Sequence, residues 1–556
     1  MVTLTKRKIK GRTYWYAVRS ARVNGKPRLV WQKYLGTADR IAECIIQSES
    51  TDGIKVRTMP LGHVAALARA NDDLHFIEII DRNTNKRETG GLTVGQYLLL
   101  QMMGRAEGAL SRKAIAEWYP DSVAKLLAGT HHQIRTENLL RQLDYPTPDA
   151  IRAIEDELAA RLLELGLTPT RLLWDTTNFF TRIEHGETLP QKSHSKEHRN
   201  DRNLIGIGLA VSIENVPFFH ETYSANEHDS QVFSRVIDVI VERLVKLNVD
   251  LDRVVMVLDK GNNSEENIQE AAKKTHLIGT LKYDQAKEYI AVPLDKYDPI
   301  DDDDDDDDGL TAYRTTGAIY GDNYTIVVTH NPKTEKKQRL KYEDTKANIL
   351  KDLAELKARI EARKRKGRRW TQTRATRAVV DAIPLNMRSV FDYEIRKKVG
   401  RGGGLIVEFG IDTEREAFRY LSFGKIVHFT DLHDWSSKEI AESYNAKYQI
   451  EDDFRWLKDK LLVPVKPVHV RTDQHIRAHV FVCVMGLLFY RYIQWKLRRL
   501  KLMYSTMGLD AILDGIRLAI VVNGAQKKTG KFVIEQMNKD EAQVFSALNM
   551  AEFIAA

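Results

Sequence analysis

The sequence predicts an α/β protein: a mixed sheet covered by helices, interrupted by an α+β insertion and preceded by a β-hairpin and a helical region. Three observations carry this prediction. Residues 171–282 read β-β-β-α-β-α-β, with short apolar runs alternating with helically spaced apolar residues. Residues 284–420 break that rhythm. Residues 60–165 carry apolar residues at helical spacing until Gly166 and Pro169 end the pattern. With 556 residues, the chain exceeds what one core can organise, so several structural units are expected.

Taken in order, residues 1–50 form a basic β-hairpin region. "RTYWYAVRSARVNGKPRLVWQKYL" (12–35) alternates apolar and polar residues around Asn24-Gly25, a tight-turn pair. Residues 51–165 form a helical region. "RLLWDTTNFF" reads as a buried strand ending near Asp175. "NLIGIGLAVSI" (203–213) and "VPFFHETYSA" (216–225) are two more strands, joined by a short turn at Glu214-Asn215. A helix over 230–249 leads to "RVVMVLD" (253–259), a strand ending in Asp259. A second helix, opened by Ser264, leads to "HLIGTLK" (276–282). Residues 166–283 are thus the first part of a core and 284–420 an insertion. Residues 421–500 are the second part, and 501–556 a C-terminal region. The insertion holds eight consecutive aspartates, Asp301 to Asp308, whose mutual repulsion predicts a solvated loop. A long helix is expected from about Tyr342 to Lys366, and a flexible basic loop at 397–404. A single long helix is expected over 436–461, with Ser436 or Ser437 as its cap. Residues 475–500 read as an apolar helix ending in bases.

Charge narrows the function classes. The net charge is +8 and the pI about 9.0. Residues 1–50 hold eleven Lys/Arg against three acids, and residues 357–377 hold ten against one. "RYIQWKLRRLK" (491–501) adds a third basic tract. Separate basic tracts suit a phosphate backbone. No run of eighteen apolar residues occurs, so no membrane span is expected. The start, "MVTLTKRKIK", lacks the apolar core of a signal peptide. Two cysteines, Cys44 and Cys483, without metal-site spacing, fit a reducing, cytoplasmic setting.

Asp175 and Asp259 each follow an apolar strand, where a carboxylate is held rigidly at a sheet edge. Two such groups on neighbouring strands can share Mg²⁺, which takes one or two carboxylates plus phosphate oxygens. A single aspartate in that position more often caps a loop. "YNAKYQIEDDFRWLKDK" (444–460) offers three adjacent acids. On a helical wheel of about 100° per residue, Tyr444, Lys447, Glu451, Arg455 and Lys458 share one polar stripe beside Ile450, Phe454, Leu457 and Leu461. Asp452 and Asp453 point elsewhere, as solvated charges. Glu451 is therefore the acid expected at the seam between core and cleft.

The spacing Tyr444-x-x-Lys447-x-x-x-Glu451-x(6)-Lys458 resembles the Y-R-E-K signature of DDE transposases from prokaryotic insertion sequences. The closest subgroup has a β-rich insertion before its glutamate. "WDTTNFF" resembles the first-Asp motif, and "VLDKGNNSEENIQ" the second. "SHSKEHRNDRNLIGIGLAV" and "IRAHVFVCVMGLLFYRYI" resemble flanking segments. The resemblance implies an RNase H-like catalytic core with Asp175, Asp259 and Glu451 as catalytic metal ligands. It implies Mg²⁺, with Mn²⁺ able to substitute, and cut-and-paste cleavage and strand transfer on DNA. Tyr444, Lys447, Lys458 and Arg455 would grip phosphates, with Lys196, His198 and Arg199 on the terminal DNA. His198 is open between a DNA contact and a structural role; Tyr448 could stack on a flipped base, with core packing the favoured role. Residues 1–165 would bind the terminal inverted repeats. A homodimer would hold two ends against target DNA in a nucleoid-associated complex. The signature's arginine is Lys447 here, which keeps the charge and loses the bidentate fork. A nuclease without strand transfer and a domesticated DNA-binding relic are the alternatives.

Overall fold

The computed structural model describes residues 2–9, 11–23, 26–49, 54–85, 88–128, 133–197, 199–261, 264–300, 309–362, 370–398, 404–458, 463–523 and 531–555. The Asn24-Gly25 turn, His198, Asp301–Asp308, the basic stretch 363–369 and most of the expected loop at 397–404 lie outside the described residues. The chain divides into two compact units. One comprises Met1–Arg69, Trp118–Thr130 and Tyr504–Ala556, the other Ala70–Glu117 and His131–Met503. Strands are numbered along the chain.

In the first unit, β1 (Val2–Ile9), β2 (Arg12–Val23) and β3 (Lys26–Gly36) form an antiparallel sheet. The expected hairpin is its second half. The rings of Tyr14 and Tyr16 lie 5.9 and 5.3 Å from that of Tyr34, and Arg7 sits over Tyr16. A second sheet has the order β17 (Lys531–Ile534), β16 (Arg517–Asn523), β4 (Ile54–Pro60). The expected helical region over 51–165 therefore begins with a strand. "IKVRTMP" alternates as a strand does, but its partner lies near the other end of the chain, beyond any local pattern.

The second unit is built on a nine-stranded sheet of order β10-β11-β12-β15-β9-β8-β5-β6-β7. Its strands are β5 (Arg171–Thr181), β6 (Asn203–Ser212), β7 (Pro217–Ser224), β8 (Val255–Leu258) and β9 (His276–Thr280). The others are β10 (Asp298–Pro299), β11 (Thr311–Ile319), β12 (Asp322–His330) and β15 (Lys425–Thr430). β5, β6 and β7 make an antiparallel meander. β8 runs parallel to β5, and β9 parallel to β8. Helices Asp229–Lys246 and Glu265–Ala272 supply the two crossovers, so the β-β-β-α-β-α-β order holds. Parallel neighbours require such crossovers, whereas the meander needs only short turns. The architecture is α/β with a mixed parallel and antiparallel sheet.

Three expectations change. Asp175 lies inside β5, not at its end. It is partly exposed beyond the point where β8, its shorter neighbour, stops at Leu258. The insertion is not wholly apart from the core, because β10 to β12 extend the main sheet through β15. Its remaining body has its own core, including Tyr342, Leu353, Val379, Phe391, Val407 and Phe423. That core packs the helices Pro332–Glu361 and Gln372–Ala382 against the hairpin β13 (Phe391–Lys397) and β14 (Leu405–Ile411). The first of these helices starts ten residues before Tyr342, where Asn331 caps it and Pro332 fits its first turn.

The third change concerns 436–461. Ser436 caps the helix as expected, in a capping box with Glu439. The helix then breaks after Asn445 and restarts at Tyr448. Around the break Lys447 N donates to Tyr444 O, Gln449 N to Ala446 O and Ile450 N to Lys447 O. These are three-residue steps, tighter than α, so the wheel drawn from Tyr444 loses its phase.

The helix Asp473–Arg499 is long and apolar enough to cross a membrane by length and composition. In the folded chain 94% of its most apolar stretch is buried. It packs against helix Val94–Ala106, and Phe489 meets Phe76 edge-on.

Candidate active site

Register brings the two aspartates together. Trp174 on β5 pairs with Leu258 on parallel β8. Asp175 and Asp259 each follow one step later, so they stand side by side where β8 has ended. Each is partly exposed, flanked by buried Trp174 and Leu258.

The joint between helices Ser437–Asn445 and Tyr448–Lys458 delivers the groups that hold them. Lys447 is 7% exposed, and its Nζ lies 3.0 Å from Asp259 Oδ1. Tyr444 Oη donates to the same oxygen at 3.1 Å and contacts Thr280 Oγ1 at 3.1 Å. His428, fully buried, packs against the Tyr444 ring with centroids 4.9 Å apart. Burial pushes the Tyr444 phenol up, reinforced by Asp259, so it stays a donor. Burial also raises Asp259, but the Lys447 ammonium and its hydrogen bond outweigh that and leave the carboxyl below its usual range. Asp175 moves the other way. Burial raises it, Lys447 and Lys196 pull it down without cancelling the rise, and Asp259 adds repulsion. The neighbouring carboxylates thus have acidities driven apart, a pattern associated with functional sites.

Other expected residues line β5. Lys196 Nζ donates to Thr176 O at 2.8 Å and lies 3.4 Å from Asp229. Lys458 Nζ donates to Thr177 Oγ1 at 2.6 Å, and burial lowers its ammonium. Arg199 forms a two-point pair with Asp201 at 2.9 and 3.0 Å and stacks over Phe180. Lys466, which sequence reasoning did not single out, bonds Glu197 at 2.6 Å and lies over the same ring. No local pattern marks Lys466 or Thr280, since their roles depend on neighbours distant in sequence. His198 is outside the described residues.

The three adjacent acids, Glu451, Asp452 and Asp453, separate in an unexpected way. Glu451 is exposed. Asp452 is partly exposed, accepting from Trp456 Nε1 at 2.8 Å and bonding Arg455, which is thereby tied to its own helix. Asp453, expected in solvent, is fully buried, with Arg491 Nε donating to it at 2.6 Å. Burial pushes Asp453 up to about 6, against the pull of Arg491. Asp453 lies three residues after Ile450 and four before Leu457, at the edge of the same buried face, and Arg491 meets it there. Tyr448, for which core packing was the favoured role, is 68% exposed.

The donor chemistry fits a divalent cation in part. Two hard oxygen donors stand adjacent, and an ammonium is already drawn to them, marking where positive charge is favoured. Among the described residues, no three His, Cys, Asp or Glu side chains gather closely enough to hold a metal. Glu451 therefore stands apart from the aspartate pair in this arrangement. In comparisons with known proteins, the chain matches no family model and no curated protein.

Proposed function

We propose that the chain is a DNA transposase that cuts and rejoins DNA through Asp175, Asp259 and Glu451 on an RNase H-like core. The single observation that carries this reading is the adjacency of Asp175 and Asp259 on parallel strands, with Tyr444 and Lys447 both bonded to Asp259. The meander β5-β6-β7, joined through helices to β8 and β9, supports the RNase H-like assignment.

In this reading Asp175 and Asp259 hold Mg²⁺, or Mn²⁺ in its place. When bound, the ion supplies the Lewis acidity that activates a water or a DNA 3′-hydroxyl and stabilises the leaving oxygen. Tyr444 orients Asp259, and Lys447 keeps both carboxyls ionised. Lys447, Lys458 and Lys196 then turn toward DNA phosphates, which compete for the bonds these ammonium groups now make within the protein. Glu451 joins the aspartates by a change at residues 446–450, where the three-residue hydrogen bonds mark a hinge. The basic hairpin sheet and the helices up to 165 bind the inverted repeats of the element's ends. Two copies hold two ends against the target.

A strand-joining assay tests this. The full-length protein is given Mg²⁺, a pre-cut element end read from the DNA flanking its gene, and a target plasmid. Wild type should join the end and Glu451→Gln should not. Cleavage without joining by wild type would instead favour a nuclease, and equal joining by both proteins would remove Glu451 from the site.

A further inference from the structure

A cavity of about 360 Å³ opens among helix Val94–Ala106, the segment 110–115, helix Thr136–Arg141 and the segment 467–482. That volume falls within the ~300–1,000 Å³ range of small-molecule sites. Its lining has a one-sided charge. Arg105, Arg112 and Lys113 contribute cations, and among the described residues no aspartate or glutamate lines it.

Two arginines here lack the usual compensation. Arg105 is 5% exposed and donates to the backbone carbonyls of Ala109 at 3.2 Å, Leu110 at 3.4 Å, Lys466 at 2.9 Å and Pro464, with the Cys483 thiol also in contact. Its Nε is buried without an acceptor. Arg112 Nε donates to Gln101 Oε1 at 2.8 Å, and its NH2 lies 3.3 Å from His479 Nδ1. His479 Nε2 lies 2.8 Å from Val465 O, so the proton sits on Nε2 and Nδ1 accepts from Arg112. Burial, then Arg112, holds that imidazole neutral. Burial also pushes the Cys483 thiol beside them up, so it supplies no counter-charge. Among the described residues neither arginine has a carboxylate partner, whereas buried charges are ordinarily paired. The remaining wall is apolar, with Leu110, Leu140, Pro467 and Val470 facing the cationic side.

We infer that this cavity binds one nucleotide unit, its phosphate on Arg105 and Arg112 and its base against Leu110, Leu140 and Val470. Guanidinium groups match phosphate oxygens in geometry, and a largely apolar wall accepts the face of a base without reading its edge. The unit is either a free mononucleotide or one residue of a strand. The inference stands on the cavity alone and does not depend on the catalytic assignment.

Titration calorimetry on the full-length protein tests it, with deoxyadenosine monophosphate, inorganic phosphate and a short single-stranded oligonucleotide as probes. The mononucleotide should bind saturably, and Arg112→Gln should weaken it about tenfold or more, as expected for loss of a charge-assisted contact. Leu140→Trp, at a position 40% exposed on the cavity wall, should block binding while the circular dichroism and melting temperature stay as in wild type. This variant decides the matter if Arg112→Gln fails to fold. Binding of the oligonucleotide alone, sensitive to both substitutions, would support the inference and place the unit within a strand. Inorganic phosphate binding as tightly as the nucleotide would overturn it. So would an absence of saturable binding, or binding that neither substitution alters.

Discussion

Lys447 is the residue on which the site turns, because one ammonium serves both aspartates. It lowers Asp175, which burial has already raised, and bonds Asp259 directly. In Lys447→Met, Asp175 should rise further, and a carboxyl must be ionised to bind a cation. The acid limb of the cleavage pH profile should then move to higher pH by about one unit, equivalent to ~1.4 kcal/mol. Lys447→Arg should leave the limb in place. A limb unmoved in Lys447→Met would show that Lys447 does not govern the pair. The three adjacent acids give a second comparison. Asp453→Asn removes the buried partner of Arg491, leaving it Asp452 at 3.4 Å, and should cost ~3 kcal/mol in denaturant titrations. Glu451→Gln, on an exposed side chain, should stay within ~0.5 kcal/mol while abolishing joining. Sequence made Asp175 and Asp259 legible because an apolar run followed by a carboxylate is a local pattern, even though β5 continues past Asp175. It could not place Asp453 in the core, because the partner that makes its burial tolerable, Arg491, lies 38 residues away in sequence.

At the level of elements, β5 and β6 are fitted to each other by glycine. A Cβ on Gly208 would come within 2.3 Å of the Trp174 ring, and one on Gly206 within 2.4 Å of Tyr223. Gly208 pairs with Thr176, next to Asp175. Gly208→Ala should therefore overpack the sheet, costing ~1–3 kcal/mol, and should also lower cleavage by displacing Asp175 through Trp174. A variant with wild-type stability and activity would show that Trp174 has room to move. The strands and helices from 171 to 282 were readable nearly to their ends, because each carries its own period and punctuation: Asn215 turns with φ +66°, and Ser264 caps its helix. β4 and β1 escaped notice for different reasons. β4 is stabilised by β16, far away in sequence, and β1 is dominated by Lys6, Arg7 and Lys8, which read as a charge run.

At the scale of the whole molecule, the insertion enters and leaves at one place. His330 ends β12 and pairs with Lys425 at the start of β15, while Asn331 N donates to Gly424 O at 2.9 Å. Residues 332–423 can thus be replaced by a two-residue turn without separating the strands they join. The shortened protein should fold, measured by circular dichroism, and should titrate with Mn²⁺ as the full-length protein does. Insoluble product from this deletion would show that the insertion supports the sheet. The sequence revealed that an insertion was present, yet not that β10 to β12 extend the main sheet, since edge pairing is decided by tertiary contacts. Metal rescue asks whether Asp175 and Asp259 bind the ion proposed to cut DNA. Asp259→Cys is compared with wild type on element-end DNA in Mg²⁺ and in Mn²⁺. A thiolate suits the softer Mn²⁺ better than Mg²⁺, so the variant should be inactive with Mg²⁺ and regain cleavage with Mn²⁺. Wild-type cleavage by Asp259→Cys in Mg²⁺ would contradict the account.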